Sequence, residues 1–490
     1  MGNAAPAPKT GNKHMYVSHF ENVLGTSMEV KVVAASQQAA TVAEMAAKHE
    51  ISRLSKILSA YDAGSEFSQW MHTSQKAVAI SPELFEVLSL FDEWRVKSNG
   101  ALDASAEVIT KLWKQAAGKQ KLPSETELAQ SVAEVQKTHW QLDPNNHTAI
   151  HMSNAPLMLN SFVKSYIIKQ ATAAALASPK TEAVVINIGG DLVVSGNLFE
   201  TIQISDPKAD AENEQPLDQL LIHNKAVATS GNYRRGELIE GHWYSHIVDP
   251  RTGKPADNIL SATVVADNAT DAGALATAFN VMTPTESELL ASKVPGAEYL
   301  IITRDGVRIQ SKGWASLALP SENKAVAALH NQMQWTNAGW ANEYELLVNL
   351  EINLQKEGFA KRPYVAVWVE DENHAAVRTI SVWHATDRYM PELKSWYLKY
   401  RGLYTSDKNF YSSITSATRS AGKYTVKWDG KDDKGEVVKP GKYTLKIEAS
   451  REHGTYQLMR QEFDWNESPK QITLTGNVEI AAASIECRKK

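Results

Sequence analysis

At 490 residues with 43% hydrophobic side chains, the chain has material for about two to four domains with substantial cores. A formal net charge of −5 excludes the concentrated basic face that a nucleic-acid surface needs. No stretch approaches the roughly 18 apolar residues of a membrane-spanning helix, and the single cysteine, Cys487, cannot form an intramolecular disulfide.

In chain order, residues 1–16 read as a flexible leader: Met1-Gly2-Asn3-Ala4-Ala5-Pro6 lacks an apolar signal core, and Pro6 breaks the myristoylation pattern. Residues 41–60 carry Val42, Met45, Ala46, Ile51, Leu54 and Leu58 at helical spacing. Pro82 opens a second helix, with Leu84, Val87, Leu88, Leu90 and Phe91 inside it. Val184–Val194 is apolar and β-branched around a Gly-Gly pair, which reads as a buried strand with a tight bend. Ala297–Thr303, Asp305-Gly306 and Val307–Ile309 read as a hairpin. Beyond about residue 322 strand signals dominate, with no strong helical period. Tyr364–Val369 and Thr379–Trp383 flank an Asp371-Glu372-Asn373 turn, and Tyr424–Gly430 leads through Asp433-Lys434-Gly435 to Gly441–Ile447. Short strands at regular spacing argue for an all-β, immunoglobulin-like sandwich over residues 323–490. Asp429, Asp432 and Asp433 read as turn formers rather than as a calcium site.

The densest chemistry lies in His246-Ile247-Val248-Asp249-Pro250-Arg251-Thr252-Gly253-Lys254-Pro255, which follows Ala228-Thr229-Ser230-Gly231-Asn232-Tyr233. A Ser-Gly-Asn turn, an imidazole, an aspartate and an Arg-Thr-Gly turn place donors and tight backbone on neighbouring loops, as closure around phosphate requires. Gly25-Thr26-Ser27-Met28, Leu58-Ser59-Ala60-Tyr61-Asp62, Gly100-Ala101-Leu102-Asp103, Val163-Lys164-Ser165-Tyr166, Asn187-Ile188-Gly189-Gly190-Asp191 and Ala274-Leu275-Ala276-Thr277-Ala278 complete an ordered set. Over residues 17–322 this set resembles the ApbE-like FAD:protein FMN transferases. The Trp428-Asp429-Gly430 region of the last segment is similar to an uncharacterised domain often fused to flavin transferases.

The resemblance implies an α+β domain of mixed sheets with packed helices, followed by the sandwich. It implies magnesium-dependent transfer of FMN from FAD to a Thr or Ser hydroxyl of an acceptor protein, with release of AMP, in a periplasmic or extracytoplasmic setting. His246 is the expected catalytic residue, since an imidazole titrates in the right range to take the hydroxyl proton. Asp249 is expected to order its turn. Met28, Tyr61, Ala101, Leu102, Asp103, Lys164 and Val248 are the expected flavin- and nucleotide-binding residues; Trp113, Trp243 and Tyr244 read as core.

The expected magnesium contacts are Ser161, Asp271 and Thr277, and here the chain departs from the family. Gly273 stands where the closing helix usually carries an aspartate four residues before Thr277, Met158 replaces another aspartate, and Ser165 stands at the glycine of the family's Ala-Lys-Gly-Tyr run. Asp271 is two residues from Gly273, about 200° round a helix. If the helix begins after it, Asp271 either swings its carboxylate towards the metal or, as the helix cap, bonds the free backbone N–H groups. Two other readings follow from these departures: an FAD-binding protein or FAD pyrophosphatase with a weakened metal site, or a periplasmic interaction protein acting through the sandwich.

Overall fold

A computed structural model describes residues 13–214, 216–232, 235–319, 344–353, 362–385, 387–406, 414–451, 454–465 and 470–490. Most of the leader, Tyr233 and the boundary expected near residue 322 lie outside these. Packing divides the chain into two units. The first holds residues 29–207 and 218–319 together with the residues up to 16; the second holds 320–490 together with the short segments 17–28 and 208–217. In the second unit Arg488 meets Asp210 at 2.6 Å and Lys427 meets Glu214 at 2.7 Å, so acidic side chains of the 208–217 segment face basic ones on strands.

The first unit is built on one sheet, in which strands Thr26–Ala34 (from residue 29), Thr181–Ile188, Asp191–Gly196, Ala226–Gly231, Ile259–Ala266, Glu298–Thr303 and Arg308–Gln310 follow in that order. The run expected as one bent strand is two antiparallel strands, Ile188 pairing with Asp191. Gly189 and Gly190 have φ of 58° and 95°, conformations that side chains resist, so the Gly-Gly pair turns the chain fully back. The hairpin at Asp305-Gly306 forms as read, with Ile301 opposite Ile309.

Helices Gln37–Leu58 and Val163–Leu176 pack together, and helix Ala269–Val281 lies on strands Ala226–Gly231 and Ile259–Ala266. Helix Pro82–Lys97 starts where proline and a serine cap direct it, Ser81 Oγ accepting from Leu84 N at 3.3 Å. The Ala269–Val281 helix is almost wholly buried, with Gly273, Ala274 and Ala276 allowing close approach by its neighbours.

The second unit contains a four-stranded sheet (Gly422–Trp428, Tyr344–Ile352, Ile480–Lys489, Lys470–Thr475) and a five-stranded one (Thr415–Ala417, Ala376–His384, Tyr364–Asp371, Gly441–Ser450, Tyr456–Trp465). Leu346, Val348 and Leu350 of the first sheet share one core with Val365, Val367 and Val369 of the second, the alternation of a β-sandwich. Among the described residues the sandwich also carries a helix, Lys394–Ser406, where the sequence showed no helical period. Leu393, Trp396 and Tyr400 bury one face at helical spacing, but two of the three are aromatics, which read as strand formers in sequence. Glu448 anchors the start of this helix by accepting from Ser395 N and Trp396 N, each at 2.8 Å.

Candidate active site

The first unit encloses a cavity of about 870 Å³ lined by residues from the motif loops. That volume lies in the range of pockets for small molecules and cofactors. Ala101, Leu102 and Val248, each nearly inaccessible, form apolar parts of its wall. Gly100, with φ of 80°, turns the chain so that Ala101–Asp103 enters the wall. Asp103 is held on both oxygens: Oδ1 accepts from Ser105 N at 2.8 Å and from Ser105 Oγ at 2.6 Å, and Oδ2 meets Arg95 Nε at 2.8 Å. Tyr61 stands exposed at the cavity, its hydroxyl accepting from Asn160 Nδ2 at 2.7 Å.

Helix Val163–Leu176 enters the cavity at its N-terminal end, where no side chain caps it. Free N–H groups and the positive end of the helix dipole make such a terminus favourable to phosphate. Lys164 Nζ sits 3.0 Å from Asp191 Oδ2, an oxygen that also accepts from Ser165 Oγ at 3.2 Å. Lys114 and Arg235 add two further cations to the wall.

The loop that carries His246 is fixed from several sides. Asp249 N donates to Lys254 O at 2.8 Å, and Gly253 N donates to Asp249 O at 2.8 Å. The Asp249 carboxylate accepts from Arg251 N at 2.8 Å and from the Arg251 guanidinium, so it orders the turn. Arg251 in turn reaches Glu286 at 2.7 Å, and Trp113 Nε1 donates to Gly253 O at 2.9 Å. His246 Nδ1 lies 2.9 Å from the carbonyl oxygen of Arg235. A carbonyl only accepts, so Nδ1 carries the proton and Nε2 keeps its lone pair. Surrounding protein pushes the imidazole pKa below its usual 6.5, and the nearby Arg235 and Lys114 charges push the same way against the Arg235 carbonyl. Although packed about in this way, the ring remains open at the cavity.

Of the expected site residues, Tyr61, Ala101, Leu102, Asp103, Ser161, Lys164, His246, Val248 and Thr277 line this one cavity. Met28 does not: it is 1% exposed, in the core, on an inward position of strand Thr26–Ala34. Asp271 does not either. The closing helix begins at Ala269, before Asp271, and its cap is Asn268, whose side chain accepts from Thr270 N at 3.0 Å. Asp271 is therefore neither the cap nor a loop residue free to swing. Burial raises its pKa, and its charged neighbours are Lys97, Glu93 and Lys169. Trp243, read as core, is instead half exposed and lines the cavity, whereas Trp113 is buried with its ring 5.0 Å from that of Tyr244. Lys114 and Arg235 carried no motif signal in the sequence.

The oxygens do not complete a magnesium site. Thr277 Oγ1 donates to Ser161 O at 2.8 Å, which brings two neutral oxygens together, but Gly273 contributes no carboxylate beside them. Among the described residues no group of three or more His, Cys, Asp or Glu is gathered to hold a metal ion. Magnesium favours several hard oxygens in octahedral array, usually including a carboxylate. Two neutral atoms engaged with each other do not meet that demand.

Both units have counterparts among known proteins. Residues 345–482 match the model of a family described as "Predicted periplasmic protein (DUF2271)". A protein of Haemophilus influenzae named FAD:protein FMN transferase is 28% identical over 51% of this chain and 75% of its own length. One of the same name from Vibrio cholerae is 28% identical over 53% of this chain and 79% of its own. The solved ApbE protein of Thermotoga maritima superposes with a TM-score of 0.54 at 25% identity, over 63% of this chain and all of that one. Residues 24–301, more than half of the sequence, match the ApbE family model, and the chain belongs to the ApbE family.

Proposed function

We propose that the cleft binds FAD and transfers its FMN moiety to a Thr or Ser hydroxyl of an acceptor protein, releasing AMP. The acceptor oxygen attacks the phosphorus on the FMN side of the pyrophosphate. Its proton passes to Nε2 of His246, the bond from that phosphorus to the bridging oxygen breaks, and AMP leaves with the electron pair. Lys164, Lys114 and Arg235 place positive charge where the phosphates sit, and Ala101, Leu102, Val248 and Trp243 suit a flat heteroaromatic ring. One observation carries this reading: a histidine whose proton is fixed on Nδ1 shares its cavity with three cations and a flat apolar wall. The relatives' name, FAD:protein FMN transferase, supports it. The periplasmic description of the second family supports an extracytoplasmic setting. No step passes through magnesium, given the oxygens available.

A second reading rests on the missing carboxylate at Gly273. With water in place of the hydroxyl, the same attack hydrolyses FAD to FMN and AMP. Full-length protein incubated with FAD and an acceptor protein of the flavin-transferase type separates the two. A covalent FMN mass increase on the acceptor supports transfer. Free FMN with unmodified acceptor supports hydrolysis, and unchanged FAD rejects both.

A further inference from the structure

Gly273 and Ser165 face each other where helices Ala269–Val281 and Val163–Leu176 pack, and both are buried. A Cβ built on Gly273 would lie 3.0 Å from Ser165 Cβ and closer still to Ser165 Oγ, well inside van der Waals contact. Ser165 occupies the third place of the Val-Lys-Ser-Tyr run, where the resembled motif has glycine, and Gly273 occupies the place where it has aspartate. The two departures therefore meet in space: the helix with less bulk at Gly273 faces the one with more at Ser165.

The charges are consistent with that exchange. An aspartate at 273 without its cation would be a buried, uncompensated carboxylate, which is costly; glycine leaves none. The carboxylate that remains beside this spot is Asp191, and it is already engaged. Oδ2 meets Lys164 Nζ at 3.0 Å and Ser165 Oγ at 3.2 Å, and Oδ1 accepts from Thr229 N at 3.4 Å. A divalent ion on Oδ2 would have to expel the lysine ammonium or sit against it. Lys114 and Arg235, also on the cavity wall, form no ion pair among the described residues. The anionic pyrophosphate thus has the protein's own cations within the cavity wall and needs no metal for charge balance.

We propose that the Ser165 hydroxyl has closed the place of the divalent-cation carboxylate, and that this chain binds FAD through its own cations without a divalent metal. This rests on the reading that the cleft holds FAD.

The test is FAD titration of the full-length protein, read by flavin fluorescence, in EDTA and in magnesium chloride. It is paired with melting curves in the two media without FAD. For the wild type, affinity unchanged within about twofold is expected, with no magnesium-induced rise in Tm. Gly273→Asp alone should melt lower, because its side chain collides with Ser165. Ser165→Gly combined with Gly273→Asp should recover that Tm, gain a magnesium-induced rise, and bind FAD about tenfold or more tighter in magnesium than in EDTA. Tightening of the wild type by about tenfold or more in magnesium overturns the proposal while leaving the functional reading intact. So does a double variant that folds but ignores magnesium, or a single Gly273→Asp variant that gains magnesium dependence at undiminished Tm. Absence of FAD binding under every condition overturns the functional reading, and this proposal with it.

Discussion

Both units pair their buried charges internally, but the first also leaves exposed charged and titratable groups facing its cavity. In the sandwich, acidic groups with no exposure are met by the protein itself. Glu370 lies 2.8 Å from Lys399 and 2.6 Å from Lys446; Glu448 is capped by two backbone N–H groups and by the Tyr456 hydroxyl at 2.7 Å. Glu479 is held by Arg451 at 2.8 Å and by Thr455. In the first unit, Lys114, Arg235 and the Nε2 of His246 face a cavity with no such internal partner among the described residues. Polar groups satisfied within the fold define architecture. Those left directed at empty space define what the molecule takes in from outside. On the proposed function, the sandwich's charges are structural and the exposed ones at the cleft meet the ligand.

The largest effect that sharpens this contrast is at His246. His246→Ala should lower FMN transfer by roughly 100- to 10,000-fold, with Tm almost unchanged, because the ring is open at the cavity; kinetics and melting curves on the same sample check both. The pH dependence has a definite sign. Burial holds the folded pKa below 6.5, so the neutral, proton-accepting ring persists below that pH, and the acid limb of kcat/KM should lie under 6.5. Activity falls as pH drops through the folded value. Stability moves the same way, since below 6.5 the unfolded imidazole protonates before the folded one does. An acid limb above 6.5 would reverse the assignment.

Next in size is a change on the other side of the comparison. Arg451→Met leaves the Glu479 carboxylate without its cation and should destabilise the sandwich by about 3–5 kcal/mol, measured by denaturant unfolding, while FAD affinity stays as in the wild type. Loss of FAD binding would break the division of labour. The smallest effects belong to the unpaired cations. Lys114→Ala and Arg235→Ala should each weaken FAD binding by about tenfold, more at low than at high salt, with little change in Tm. If either variant is instead destabilised with unaltered affinity, that cation is structural.

The motif loops were legible in the sequence because their chemistry is local. Gly100, Gly189 and Gly190 adopt backbone angles that side chains resist, and the Asp249–Gly253 turn carries its own hydrogen bonds, so residue type alone marks them. What escaped needed a third dimension. Lys114 on an amphipathic helix reads as solvated until the cavity beside it is seen. Met28 matched a motif yet points into the core, because alternation along a strand sets its face. Asp271 was close to Gly273 in sequence but on another side of the helix, and the atoms that crowd the Gly273 position belong to Ser165, over a hundred residues away. The helix Lys394–Ser406 hid because its buried face is aromatic.

Trp243 illustrates how a small residue shapes a ligand surface. A Cβ on Gly236, its diagonal neighbour across the Gly236–Ile239 and His242–Ser245 hairpin, would come within 2.7 Å of the indole ring. The ring therefore rests on bare backbone, and only glycine there lets it lie so close. Half of its surface nonetheless stays open. An exposed side chain usually surrenders rotamer freedom when a ligand stacks on it, at about 0.5–1.5 kcal/mol. Packed on the Gly236 backbone, this indole has less of that freedom to lose, so on the proposed reading a flat ring stacking there meets a smaller entropy cost.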